Sequence, residues 1–169
     1  MAFQKIDVES VSENAVVLIR DRWPLLTVGS KEDFNFMTVN WGMIGELWYR
    51  DAMTLYVRHS RHTYDYMSSN STYTLNVLKK GYEKALSIAG SKSGRDIDKV
   101  KETGLSPIEI EGCMAFEEAE YVFVLKRLFQ SDLEIEAIED PSIVQKAYPD
   151  GDIHKMYITE ILTVYKNVE

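Results

Sequence analysis

Apolar and polar positions along the chain change period several times, and each change marks an element. Val11, Ala15, Leu18 and Ile19 recur at helical spacing within residues 11–22. Ser12 stands where an N-cap belongs, and Trp23-Pro24 ends the segment, because a proline disfavours helical backbone in the residue before it. Leu25–Val28 is a short apolar run, Gly29–Asp33 has turn chemistry, and Phe34–Trp41 reads as the returning strand of a hairpin. Residues 42–51 carry two glycines with Trp48 and Tyr49 and read as an aromatic loop before a strand at Met53–Val57. From Arg61 to Ser69 the period is helical, with Tyr64 and Met67 inward, and Tyr73–Leu78 is again a strand.

The second half repeats these signals. A short helix over Tyr82–Ala89 is ended by Gly90, and another over Arg95–Thr103 has Gly104 at the expected stop. Strands resume at Tyr121–Leu128 and Leu133–Ala137. A helix at Pro141–Ala147 has proline in its first turn, and after the turn at 148–152 a long strand runs from Ile153 to Tyr165. Strands outweigh helices, and the first pair is joined too tightly for a parallel crossover. The pattern predicts one domain over residues 1–169, mainly β, an antiparallel barrel with peripheral helices.

Within Phe34–Trp41 side chains alternate between faces, so Phe34, Phe36, Thr38 and Asn40 oppose Asn35, Met37, Val39 and Trp41. Neither face is purely apolar. Exposure at a sheet edge accounts for these polar groups as well as a binding role does.

Composition narrows the chemistry. A formal charge of −8 disfavours nucleic acid and anionic membrane, and any bound phosphate needs a local cluster of cations to overcome the global field. The single cysteine, Cys113, excludes an intrachain disulfide and a multi-thiolate metal site, and suits a reducing cytoplasm. No apolar run reaches signal-peptide or transmembrane length. The nine glycines form neither a Gly-x-Gly-x-x-Gly fingerprint nor a Walker loop.

The strongest local signal is Arg58-His59-Ser60-Arg61-His62-Thr63, a strand end entering a helix, with two guanidiniums and two hydroxyls. A helix start offers unpaired N–H groups to an anion, and arginine adds a bidentate grip. Equally, Ser60 caps the helix and the arginines are solvated or pair with Asp65. Ser91-Lys92-Ser93-Gly94-Arg95-Asp96 is a second hydroxyl-rich basic stretch, with the same two readings. His59 and His62 with Asp65 are too sparse a ligand set for a metal, and none is expected. There is no nucleophile elbow, so a hydrolase is poorly supported.

In order and spacing, five stretches together resemble the flavin reductase-like proteins of the FMN-binding split-barrel fold, in particular the flavoredoxin-like branch. They are Asn35-Phe36-Met37-Thr38 with Trp41-Gly42; Arg58 with Ser60-Arg61-His62-Thr63; Tyr73-Thr74-Leu75-Asn76-Val77; Ser93-Gly94-Arg95-Asp96-Ile97-Asp98-Lys99; and Asp152-Ile153-His154-Lys155-Met156-Tyr157. The resemblance spans about Asn14 to Tyr165. It implies a homodimer of antiparallel, Greek-key split β-barrels with FMN near the subunit interface. Met37, Thr38, Val39, Trp41 and Gly42 would border the isoalloxazine. Arg58, Ser60, Arg61 and Thr63 would take the ribityl phosphate, with Asn76, Ser91 and Lys92 nearby, and His154 would stand close to the flavin's reacting face.

The implied chemistry is hydride transfer from NADH or NADPH to the flavin, then delivery to a second acceptor, in which the cofactor does the redox work. A flavin-binding electron carrier serving a partner protein, without nicotinamide activity, is the alternative, and a flavin-free binding module is a third. Many relatives carry proline before the third strand, whereas here the chain reads Trp48-Tyr49-Arg50-Asp51-Ala52-Met53.

Overall fold

Leu25 and Leu26 sit side by side in a strand and both are fully buried, in two different hydrophobic clusters. The same holds for Phe36 and Met37 and for Val122 and Phe123. Successive strand residues face opposite ways, so a continuous apolar run means a strand covered on both faces. The computed structural model describes residues 3–169. Its strands are β1 (Phe3–Ile6), β2 (Leu25–Gly29), β3 (Phe34–Thr38), β4 (Gly42–Leu47), β5 (Arg50–Arg58), β6 (Thr72–Leu78), β7 (Pro107–Ile110), β8 (Cys113–Phe116), β9 (Ala119–Asp132) and β10 (His154–Asn167). Its helices are α1 (Ala15–Arg20), α2 (His62–Ser69), α3 (Glu83–Ser91), α4 (Lys99–Thr103) and α5 (Pro141–Ala147).

The main sheet runs β3-β2-β6-β9-β10-β5-β4, with β1 also on β10, and every pairing is antiparallel. Strands β3 and β4 are the two ends of this path, yet only residues 39–41 separate them. A link that short spans at most about 14 Å even when extended, so the sheet must curl until its ends meet. The result is a split barrel whose seam is crossed by Val39, Asn40 and Trp41. One cluster fills the barrel, with Met53, Leu55, Leu75, Phe123 and Tyr157 packed against Leu18 and Ile19 of α1 and Met67 of α2. The other lies outside, where Phe36, Phe116 and Val122 meet Ala85 and Ala89 of α3.

Several boundaries differ from the sequence expectation. The first helix starts at Ala15, because Asn14 caps it by accepting from Val16 N at 2.9 Å, while Ser12 is hydrogen-bonded to Tyr121. Residues 42–51, expected as a loop, form the hairpin β4–β5, in which Leu47 faces Arg50 across a two-residue turn. Trp48 and Tyr49 both have positive φ, 56° and 61°, as a type I′ turn requires. The helix expected at Arg95–Thr103 begins at Lys99, after its cap Asp98. The helix expected to end at Gly90 continues to Ser91.

Leu133–Ala137 alternates like a strand but lies off the sheet, with a 3₁₀ turn at Ile135–Ala137. The bond from Leu133 N to His154 O closes the ladder where β10 begins, leaving no edge to pair with. Strand β1 and the β7–β8 hairpin are additional elements. No helix among the described residues is long and apolar enough to cross a membrane.

Candidate functional site

Asn35 settles the question left by its mixed strand. It is buried, and its Nδ2 donates to Thr63 Oγ1 at 2.9 Å, tying β3 to the first turn of α2. Its neighbours on β3 are covered as well: Thr38 Oγ1 donates to Leu86 O of α3 at 2.6 Å. Asn35 and Thr38 are thus tied inward, whereas Asn40, beyond the end of β3, is exposed.

Two cavities meet at Met37. The first, of about 270 Å³, lies over the barrel seam and is lined by Met37, Thr38, Val39, Asn40, Trp41, Tyr56, Arg58 and His154. Trp41 is half-exposed, and its ring centroid lies 4.6 Å from that of His154. His154 is buried, and Tyr148 OH is hydrogen-bonded to its Nδ1 at 2.9 Å. Burial first, and then the nearby Arg58 guanidinium, push the imidazole down to about 4, with Asp152 opposing. It is therefore neutral at physiological pH.

The second cavity, of about 150 Å³, collects Ser60, Arg61, His62 and Thr63 from the α2 start, Ser91, Lys92 and Ser93 from the α3 end, and Asn35, Met37 and Lys99. No carboxylate lines it. Arg61 donates from Nη2 to Gly90 O at 2.5 Å and lies in the α2 N-cap position. Burial, and then Arg58, lower its pKa. Lys99 is buried, and its Nζ donates to Phe36 O at 2.7 Å and Ala89 O at 3.0 Å. Burial, and then Arg61, push it down to about 8. An ammonium has three donors, so one remains for the cavity. Two crowded cations among hydroxyls and a helix start are donors that could hold an anion, with Asp152 acting on Arg61 from outside the lining. Glycine permits the crowding: a Cβ at Gly90 would press on Thr38, and one at Gly94 would collide with Asn35 Oδ1.

The structure thus brings together Met37, Thr38, Val39, Trp41 and His154 in the seam cavity, and Ser60, Arg61, Thr63, Ser91 and Lys92 in the cationic one. Three expected site residues lie elsewhere or act otherwise. Arg58 lines the seam cavity, where Nη1 donates to Asp152 O at 2.5 Å and Nη2 to Ala147 O at 2.8 Å, pinning the end of α5. Asn76 lines neither cavity; it is buried within the sheet, donating to Leu25 O, Thr27 Oγ1 and Thr74 Oγ1. Gly42 begins β4, opposite Leu55, and its lack of a Cβ lets it lie against Thr54 O. Ser60 does not cap α2 either: it donates to Asp152 Oδ2 at 2.6 Å. No group of three or more potential metal ligands occurs among the described residues.

Lys99, Asn40, Tyr56 and Tyr148 are lining or supporting residues to which the sequence expectation assigns no ligand role, whereas Ser93 belongs to the hydroxyl-rich stretch it names. For Lys99 a signal exists. A lysine in the first turn of a helix opposes the dipole, which is a reason to ask what compensates it.

A flat aromatic group over the seam and a phosphate in the cationic cavity fit this donor set. No curated sequence matches the chain. Among solved structures, the chain is similar to an FMN-binding domain of a flavin reductases-like enzyme from Shewanella baltica, at 14% identity over 98% of this chain and 77% of that one, TM-score 0.70. It is also similar to flavoredoxin of Desulfovibrio vulgaris, at 18% identity over 96% and 78% of the two chains, TM-score 0.68. A Streptomyces globisporus NADH:FAD oxidoreductase aligns at 17% identity over 85% and 74%, TM-score 0.63. At these identities the shared property is the fold. The model of the flavin reductase like domain matches residues 23–165, most of the chain and both cavities, and the chain belongs to that family.

Proposed function

We propose that this protein is an FMN-binding oxidoreductase that takes reducing equivalents from NADH or NADPH and passes them to a second acceptor. The observation carrying this is the carboxylate-free cationic cavity sharing Met37 with an aromatic-lined one, in a chain of net charge −8. Arg61 and Lys99 hold the phosphate, with Ser60, Thr63, Ser91 and Lys92 around it. Met37, Thr38, Val39 and Trp41 border the ring system. Bound FMN supplies the hydride and electron transfer. His154, backed at Nδ1 by Tyr148, is neutral and keeps Nε2 available to hold a proton at the ring's edge. Arg58 fixes the 147–152 segment beside it.

The working unit in this proposal is a homodimer of one-domain subunits. Supporting it, Met43, Trp48, Tyr49 and Phe129 are exposed, with Trp48 and Phe129 packed edge to face, an apolar surface that a second copy would cover. Light scattering gives the mass directly. The test of function is the visible spectrum of the purified protein, before and after anaerobic NADH and NADPH. A flavin spectrum bleached by either nucleotide is expected. A colourless protein that fails to take up FMN overturns the proposal, and a yellow protein bleached by neither makes it an electron carrier.

A further inference from the structure

Asp152 bonds to a lining residue of the cationic cavity, yet lines neither cavity itself. Its carboxylate is spent on Ser60. Ser60 Oγ donates to Asp152 Oδ2 at 2.6 Å, and Ser60 N donates to Asp152 Oδ1 at 3.3 Å. One oxygen takes a hydroxyl and the other a main-chain N–H, one residue ahead of Arg61, the α2 N-cap. An oxyanion on a hydroxyl and an N–H beside a helix start is the contact that a bound phosphate makes. Here the protein makes it with a carboxylate of its own. The same carboxylate acts on the charge of Arg61.

The other ties at this corner do not use that carboxylate. Arg58 holds the segment by main-chain carbonyls, Nη1 on Asp152 O and Nη2 on Ala147 O. Leu133 N, donating to His154 O at 3.0 Å, closes the neck of the excursion that carries Asp152. Ser60 is held from its other side, where its carbonyl accepts from Arg95 Nη1 at 3.2 Å, and Arg95 is anchored on Asp65 at 2.6 Å. With both main chains fixed, an exchange of partners needs only rotation of the Ser60 hydroxyl and of the Asp152 carboxylate. Arg58 Nη1, 3.9 Å from Asp152 Oδ2, is at hand to receive the carboxylate.

We propose that Asp152 is a built-in competitor for the phosphate: its carboxylate holds Ser60 while no phosphate is bound, and a phosphorylated flavin binds by taking the Ser60 donors from it. This rests on the flavin reading above and adds to it a residue that subtracts from affinity. Selectivity is a difference of affinities, and an internal anion raises the threshold that an incoming anion must exceed. A phosphate monoester brings a charge of about −1.5 to −2 and three strong acceptor oxygens, more than a carboxylate offers. An unphosphorylated flavin has nothing to exchange and leaves the pair as it is.

Fluorescence titration of flavin-free full-length protein with FMN and riboflavin tests it, on wild type, Ser60→Ala, Asp152→Asn and the double variant. Asp152→Asn keeps the main-chain bonds to Arg58 and leaves a weaker, uncharged acceptor. It should tighten FMN at least threefold and leave riboflavin within twofold. Ser60→Ala should cost FMN at least threefold more in the Asp152→Asn background than in wild type, because there no carboxylate holds the hydroxyl. An Asp152→Asn variant that binds FMN no more tightly than wild type, or that shifts both flavins equally, overturns the proposal and makes the contact an anchor of the 147–152 segment. An equal cost of Ser60→Ala in both backgrounds also overturns it, since an effect of charge at a distance needs no exchange at Ser60. Failure of wild type to bind FMN removes the flavin reading, and this inference with it.

Discussion

Replacing Lys99 by methionine isolates the phosphate contribution to flavin binding. The methionine keeps an unbranched apolar stem in a buried position and removes only the ammonium. Two of its donors serve Phe36 O and Ala89 O, so the loss felt by a ligand is the third, a charge-assisted bond to phosphate. Hydrogen bonds to charged groups contribute about 1.5–3 kcal/mol net, which is a rise of about 10- to 150-fold in the FMN dissociation constant. Riboflavin lacks the phosphate and should bind wild type and variant alike. The pH dependence gives an independent check with a definite sign. Lys99 is pushed down to about 8, and a bound dianion would raise it again. FMN affinity should therefore be flat from pH 7 to 8 and fall up to tenfold per unit above it. The phosphate monoester is already doubly ionised there, so it adds no slope. Isothermal titration across pH 7–10 with both ligands measures this. Equal weakening of FMN and riboflavin by the substitution, or an FMN affinity flat to pH 10 in wild type, would refute the assignment of Lys99 to the phosphate.

The other arginine and histidine positions give sharper contrasts. Arg61→Ala should weaken FMN at least tenfold more than riboflavin, whereas Arg58→Ala, which frees the 147–152 segment, should weaken both about equally; titration of the two variants with the two flavins decides. For His154, the folded state resists protonation down to about 4 while the unfolded chain takes its proton near 6.5, so stability falls as pH drops from 6.5 to 4. In urea unfolding His154→Gln should flatten that fall by one proton, and an unchanged slope would sink the reasoning. At the β4–β5 turn, two non-glycine residues hold left-handed backbone, at a cost of about 1–2 kcal/mol each. Tyr49→Gly, at a fully exposed side chain, should raise the unfolding free energy by about 0.5–1 kcal/mol at a protein concentration low enough to keep subunits apart, and an unmoved urea midpoint there would show that the turn is not strained.

That turn also shows where sequence patterns stop. Hairpins are recognised by Asn-Gly or Asp-Gly between alternating strands, and Trp48-Tyr49 offers neither, so β4 and β5 were legible only from Met53 onward. Strand β4 itself leaves Met43 exposed and most of its length uncovered, so no inward apolar face marks it. By contrast β2, β6 and the Tyr121–Leu125 half of β9 are buried on both faces, and their mostly apolar runs, broken only by Thr27, Thr74 and Asn76, are hard to mistake. The error at Leu133–Ala137 has the opposite cause. Its alternation is strand-like, but a strand needs a partner, and in the β9–β10 register residues 134–137 would face residues 153–150, which lie before the start of β10. Periodicity describes what a segment could bury, and pairing depends on what the rest of the chain leaves open.

The site divides along the same line. Arg61, Ser60 and Thr63 were visible because they are contiguous with a helix start, and Ser91 and Lys92 because they repeat that chemistry. What no local pattern supplies is which cation goes where. Arg58 and Arg61 are three residues apart and chemically identical, yet the strand end turns Arg58 toward carbonyls on the 147–152 segment while the first turn of α2 turns Arg61 toward Gly90. The two arginines still lower the proton affinity of their neighbours: Arg58 acts on His154 and Arg61, and Arg61 acts on Lys99. Burial is the larger cause in each case, and Asp152 opposes the effect at Arg61 and His154. In the proposed site an anion between Arg61 and Lys99 would offset the repulsion that remains between two cations that the sequence places far apart.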